Sequence, residues 1–261
     1  MALIKPPLPS GNLVIKKLRG FSLKLKFNPS NYQGKFLYYR GMYEDAIIKT
    51  VCDLLEPGMK FIDIGANIGL YSIITARIVG KAGRVVAFEP QPALIRILRD
   101  NIELNGLTNI DVVNCALGSK QGRSELFQVA EENEGEATLR LRGDEKSVGT
   151  PTTVEVRRLT DVLEELDIGS VDMVKIDTEG AELEVLKGFN GWLAERPPKY
   201  IFVECIDDHL KRFGADSSCL ISFLIENGYK CFYLKSGHWR SVNIKDFFMS
   251  PFHSEDIMAV K

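Results

Sequence analysis

Residues 61–69, Phe-Ile-Asp-Ile-Gly-Ala-Asn-Ile-Gly, constrain the fold more than any other stretch of this 261-residue chain. Phe61, Ile62 and Ile64 make an apolar run bounded by turn residues, the pattern of a strand covered on both faces. Gly65 and Gly69 permit a tight turn and close backbone approach to a ligand. Tyr71 to Val79 continues as an apolar helix. Twenty positions past Gly69, a second apolar run (Arg84 to Phe88) ends in Glu89 and Pro90. Strand, glycine turn, helix, strand and acid form a βαβ unit that sets a carboxylate against ribose hydroxyls.

A dinucleotide site wants G-x-G-x-x-G, so that backbone amides can approach a pyrophosphate. Here the spacing is Asp63-x-Gly65-x-Asn67-x-Gly69, with a carboxylate at the mouth of the turn. An anion there repels a diphosphate and suits a ligand carrying an ammonium and a sulfonium. S-adenosylmethionine (SAM) has both, plus a ribose for Glu89 to hold. A helix cap would explain Asp63 alone, and a solvated strand end Glu89 alone. Together, in this order, they favour SAM.

The chain is long enough for one large α/β domain or a domain with an appendage. No apolar run approaches the roughly 18 residues of a membrane span, and the N-terminus lacks a signal-peptide core. A cytoplasmic location is therefore expected. The five cysteines are widely spaced with no C-x-x-C pair, which suits reduced thiols rather than disulfides or zinc ligands. Net charge is −2, which argues against general nucleic-acid binding. The charge is uneven, since residues 1–40 hold eight Lys or Arg and no acid. Such an arm can contact an anionic partner or surface. The preferred reading is a half-buried strand, Phe21 to Phe27, whose lysines face solvent and guard an edge.

Periodicity separates a basic, β-rich N-terminal extension (1–40) from a domain over 41–261. Helices are expected over Glu44–Leu55, Ala93–Leu104, Leu159–Leu166, Ala181–Leu186 and Ser217–Glu226. Further strands are expected over Asp111–Ala116, Val171–Ile176 and Tyr200–Val203, with Cys231–Leu234 and Ile257–Val260 closing the sheet as a hairpin. Shorter strands near Leu126–Val129, Ala137–Leu141 and Thr152–Val156 form a β-rich insertion around 120–158. Its acids Glu131, Glu132, Glu134 and Glu136 suit a solvated hairpin tip. The regular alternation implies a doubly wound, mostly parallel sheet.

Ligands of such sheets bind beyond the C-terminal ends of the strands. Those ends read Asp63, Glu89, Asn114, Asp177 and Glu204, four of them acidic. Asp177-Thr-Glu-Gly-Ala-Glu182 adds two more carboxylates at a helix start, where Glu179 and Glu182 would complement the macrodipole. Asp177 itself faces the crevice.

The segments "YEDAIIKTVCDLLEPGMKFIDIGANIGLYSI", "VVAFEPQPALIRILRDNIELNGLTNI", "NCALG", "VDMVKIDTEGAELEVLKG" and "FVEC" resemble the FkbM family of SAM-dependent methyltransferases, in the family's order. The resemblance implies a class I methyltransferase (Rossmann-like) fold, a seven-stranded sheet whose last strand is antiparallel. It also implies methyl transfer to a hydroxyl oxygen of a sugar, glycan or polyketide-like metabolite. By the same resemblance, Asp63, Gly65, Asn67 and Gly69 form the first SAM loop, and Glu89 binds ribose. Asn114, Cys115 and Ala116 fall beside the adenine, Asp177 near the transferred methyl, and Tyr43 and Glu44 over the cofactor. Methyltransferases often carry an Asp–Ala pair at the adenine, where this chain has Cys115–Ala116.

A hydroxyl acceptor must lose its proton as the bond to carbon forms, so a positioned base is required. Asp177, Glu204 and His209, five residues past Glu204, are the candidates; His238 and His253 read as surface or hairpin residues. A Mg²⁺ ion on Asp177, Glu179 and Glu204 is the second choice, behind a metal-free base. Two rival functions share the architecture. A nicotinamide-dependent oxidoreductase would need the missing G-x-G-x-x-G turn, and a non-catalytic interaction module would show degraded loop residues.

Overall fold

The computed structural model describes residues 8–9, 13–129, 136–143, 145–242 and 256–261. The acids Glu131, Glu132 and Glu134 and the imidazole of His253 lie outside those residues. A hairpin of β1 (Val14–Lys17) and β2 (Lys24–Phe27) comes first, followed by α1 (Tyr32–Arg40) and α2 (Asp45–Leu54). The core then runs β3 (Lys60–Ile64), α3 (Leu70–Val79), β4 (Arg84–Phe88), α4 (Pro92–Leu104) and β5 (Ile110–Val113). Strands β6 (Ala116–Leu117), β7 (Gly122–Gln128), β8 (Ala137–Thr138) and β9 (Thr152–Arg157) build a separate small sheet. The chain returns through α5 (Leu159–Glu165), β10 (Met173–Ile176), α6 (Glu182–Lys187), α7 (Trp192–Glu195) and β11 (Tyr200–Glu204). Last come α8 (Asp207–Leu210), a 3-10 turn (Lys211–Phe213), α9 (Ser217–Glu226), β12 (Lys230–Lys235), β13 (His238–Ser241) and β14 (Asp256–Val260).

The main sheet has the order β13-β12-β14-β11-β10-β3-β4-β5. Strands β5, β4, β3, β10 and β11 are mutually parallel; β14 runs antiparallel between β11 and β12, as the expected closing hairpin does. The sheet is thus mixed α/β but eight-stranded, not seven-stranded. The extra strand, β13, pairs antiparallel with the edge of β12 and is pinned there by Trp239 Nε1 donating to Thr50 Oγ1 at 2.8 Å. His238, at the start of β13, is exposed, as expected. The central parallel strands β3, β4, β10 and β11 are buried on both faces, which is why they read as apolar runs, interrupted by Asp63 and Lys175 at the site.

The third strand also departs from expectation. Pairing stops at Val113, because the Asn114 amide turns back to donate to the carbonyls of Glu89 (2.8 Å) and Pro90 (3.0 Å). The N-terminal extension is only partly β. Asn31 Oδ1 accepts the Gly34 N–H at 2.7 Å and starts helix α1, which the period-two pattern of the preceding residues conceals. Hairpin strand β2 is held on the main unit by buried Leu23, Leu25 and Phe27. Its open edge is satisfied by α4, whose Asn101 and Asn105 each exchange amide hydrogen bonds with the backbone of Lys26 and Lys24. The basic charge of this region is partly spent internally, in the Arg19–Asp45 and Lys26–Asp100 pairs. Among the described residues, no helix is long and apolar enough to cross a membrane. All five cysteines are free thiols.

Candidate active site

Above the C-terminal ends of β3, β4, β10 and β11 lies an open cleft, lined by residues from all four strand ends. Two left-handed residues, Gly65 (φ +79°) and Asn67 (φ +53°), shape its floor. A Cβ on Gly65 would lie 1.7 Å from the Asp177 carbonyl oxygen, so the β3 and β10 ends approach too closely for any side chain there. Gly65→Ala is expected to destabilise the fold by about 1–3 kcal/mol, read as a lower melting temperature. Wild-type stability in that variant would contradict this packing. Gly69 also has a positive φ (+88°), but its missing Cβ makes room for Leu98 Cδ1 of α4, and it does not line the cleft.

At one end, Glu89 is 3 % exposed and held by two backbone amides. Its Oε2 accepts from Asn67 N–H and its Oε1 from Gln91 N–H, both at 2.9 Å. Each oxygen keeps a lone pair for a further donor, which is the requirement for gripping a diol. Burial pushes its carboxyl up to about 7, against the pull of those two amides. The neighbouring wall is apolar: Cys115, Ala116 and Leu117 from the core meet Leu126, Ala137 and Leu139 from the insertion. Burial also pushes the Cys115 thiol up to about 12, so it is a neutral packing group.

In the centre, Lys175 is the buried cation. It lies beside Asp63 in the sheet register, and its Nζ donates to Asp177 Oδ2 at 2.7 Å over the Tyr71 ring. Burial works to lower its pKa, but Asp177, Glu44 and Asp63 outweigh that and keep the ammonium charged. Asp63 accepts from Ser72 Oγ at 2.5 Å and is raised by burial, with Lys175 opposing. Glu44 begins α2 in a left-handed conformation and does not cap it; its Oε2 accepts from Tyr71 Oη at 2.6 Å instead. Tyr43 and Tyr32 cover this side, their rings edge to face at 6.2 Å.

The far end is an acid wall. His209 Nδ1 lies 3.1 Å from Oε2 of both Glu179 and Glu204. Burial raises both carboxyls well above their ordinary range; Glu204 and Asp177 raise Glu179 further, and Asp177 and Glu182 raise Glu204 further. Glu179 Oε2 is buried and accepts no hydrogen bond. Glu182, by contrast, braces the turn before α6, its Oε1 accepting from the Thr178 and Gly180 amides and the Thr178 hydroxyl.

The structure therefore brings Glu44, Asp63, Gly65, Asn67, Glu89, Cys115, Ala116, Asp177 and Glu204 to one cleft. Three candidates do not line it: Gly69 packs a helix, Asn114 braces the turn after β4, and His209 stands behind Glu179 and Glu204. Lys175, Tyr71 and the insertion's Leu126, Ala137 and Leu139 were not foreseen. Lys175 was findable, since it shares a sheet face with Asp177 two residues on.

A family model, "Methyltransferase FkbM domain", matches residues 63–231. Methyltransferase sdnD of Sordaria araneosa is 37% identical over 159 residues, covering 51% of this chain and 61% of the relative. Methyltransferase 1 of Beauveria bassiana is 29% identical over 154 residues, covering 51% and 60%. The matches thus span about three fifths of the length of these curated relatives. Among solved structures, methyltransferase FkbM from Methylobacillus flagellatus KT aligns with a TM-score of 0.48 at 18% identity, over 88% of this chain and 48% of that one. With the family model spanning residues 63–231, this chain belongs to the FkbM methyltransferase family.

Proposed function

We propose that the protein is a SAM-dependent methyltransferase that moves a methyl group to a hydroxyl oxygen of a sugar, glycan or polyketide-like metabolite. One observation carries this reading: the buried Glu89 carboxylate, presented by the Asn67 and Gln91 amides, shares one cleft with Asp63 and Asp177. Glu89 takes the ribose hydroxyls, the apolar wall at Cys115 and Ala116 takes the adenine, and the Asp63 side takes the ammonium. When bound, SAM supplies a methyl group activated by its sulfonium.

The chain's own residues do the rest. Most of the rate comes from holding acceptor oxygen, carbon and sulfur collinear, a role for the rigid strand ends. Asp177, fixed by Lys175, and Glu204, oriented by His209, are the groups placed to take the hydroxyl proton. The residues of the N-terminal segment that line the cleft, Tyr32 and Gln33, are placed to choose the acceptor.

A melting-shift screen tests the cofactor: SAM and S-adenosylhomocysteine (SAH) should stabilise the protein and NAD or NADP should not. The reverse pattern would favour the oxidoreductase reading. Among the described residues the acids expected to hold Mg²⁺, Asp177, Glu179 and Glu204, are not the set that comes together; ligand atoms of Glu136, Glu179 and His209 lie within 4.8 Å of one another instead, and they are the second reading. Arg212, 3.8 Å from Glu179 and 3.9 Å from Glu136, already supplies positive charge there. EDTA is accordingly expected to leave the melting temperature and the SAH shift unchanged. A loss restored by Mg²⁺ or Mn²⁺ would turn the assignment to the metal.

A further inference from the structure

Arg212 is a buried cation on the 3-10 turn after α8, outside the cleft, and its side chain is only 3 % exposed. Burying a guanidinium is costly unless every face is used. Its Nε and Nη2 fork onto the Glu145 carboxylate at 3.0–3.2 Å, and Nη1 donates to the Glu179 carbonyl at 3.1 Å. Thr138, fully buried in the insertion, donates its hydroxyl to that same carbonyl at 3.0 Å. Glu145 in turn accepts the Arg142 N–H at 2.7 Å, so the fork grips a closed loop rather than a free side chain. Two neighbouring contacts run the same way: Arg142 pairs with Asp208, and the Arg140 guanidinium lies over Phe213.

These contacts tie three separate pieces together: the insertion around 137–145, the left-handed Glu179 peptide (φ +57°), and the turn carrying Arg212. The insertion residues so held are those next to Ala137 and Leu139, which pack with Leu126 on Ala116 and close the apolar end of the cleft. Backbone bonds from Val129 N–H to the Glu136 carbonyl (3.0 Å) and from Val148 N–H to the Gln128 carbonyl (2.7 Å) tie the same stretch to β7. Among the described residues, strand β8 is two residues long and pairs with β7 alone, so the clasp adds a second hold on its far side.

We infer that Arg212 is a positioning residue: its clasp on Glu145 and the Glu179 carbonyl holds the insertion as the wall that retains the nucleoside. This rests on the SAM reading for the identity of the ligand, and on geometry alone for the clasp. A planar fork meeting two oxygens and a carbonyl is work for arginine, and lysine cannot reproduce it.

The test uses the full chain, SAH as the probe, and hydrogen exchange as the second readout. Arg212→Lys and Arg212→Ala should release SAH about tenfold faster, equivalent to about 1.4 kcal/mol. Amide exchange should rise over 136–148 while 84–104 stays protected. Thr138→Val, which removes one donor and keeps the shape, should move both readouts in the same direction by less, and stands in if the arginine variants do not fold. A merely structural role would lower protection throughout and leave the regional contrast absent. Unchanged SAH release, or exchange at 136–148 equal to wild type, overturns the proposal. If wild type fails to bind SAH, the cofactor reading falls and the exchange contrast alone decides the clasp.

Discussion

Glu89→Ala is expected to weaken SAH binding by about 10²–10⁴-fold. Hydrogen bonds to a charged group contribute about 1.5–3 kcal/mol each, and two hydroxyls of one ribose are assigned to this carboxylate. Calorimetric titration measures it; affinity within about threefold of wild type would remove Glu89 from the site. The pH dependence adds an independent sign. Free in the cleft, the Glu89 carboxyl holds its proton up to about 7, through burial. Accepting two hydroxyls requires the ionised form, so SAH affinity should rise as pH increases through about 7, with a proton released on binding. Stability of the free protein follows the opposite course. Unfolded, this carboxyl ionises at its ordinary 4.5, so between there and about 7 the native state binds more protons. Its contribution to stability is therefore largest at low pH and declines as pH rises across that window.

Asp177→Asn is expected to slow methyl transfer by about 10²–10⁴-fold, the range for losing a positioned base. SAH affinity should stay within a few-fold, because the asparagine oxygen still accepts from Lys175 and the Glu89 end is untouched. Single-turnover transfer of labelled methyl separates the two effects. Full activity would take Asp177 out of the mechanism and leave Glu204 as the base. A loss of SAH binding as large as the loss of rate would instead make Asp177 a cofactor ligand.

Much of this architecture is legible along the chain, because the buried central strands leave short apolar runs and their ends carry acids. Asp63, Glu89, Asp177 and Glu204 were visible for that reason, and they do meet in one cleft. What escaped has physical causes. Asn114 reads as a strand end because the apolar pair Val112-Val113 reaches it, but its amide donates to the carbonyls of Glu89 and Pro90 instead. Helix α1 is aromatic-rich and weakly amphipathic, so only the Asn31 cap marks it. Strand β13 follows a Ser236-Gly237 turn and has one half-buried residue, Trp239, whose partner Thr50 is 189 positions away. Contacts of that range leave no local periodicity. The Arg212 clasp is of the same kind, joining residues 67 positions apart.

The most direct test is a crystal structure of the protein with SAH. The ribose hydroxyls should sit on Glu89, the adenine between Ala116 and Leu126, and the sulfur should face the Lys175–Asp177 pair. Density for the nucleoside elsewhere, with Glu89 making no contact to it, would contradict the account at its root.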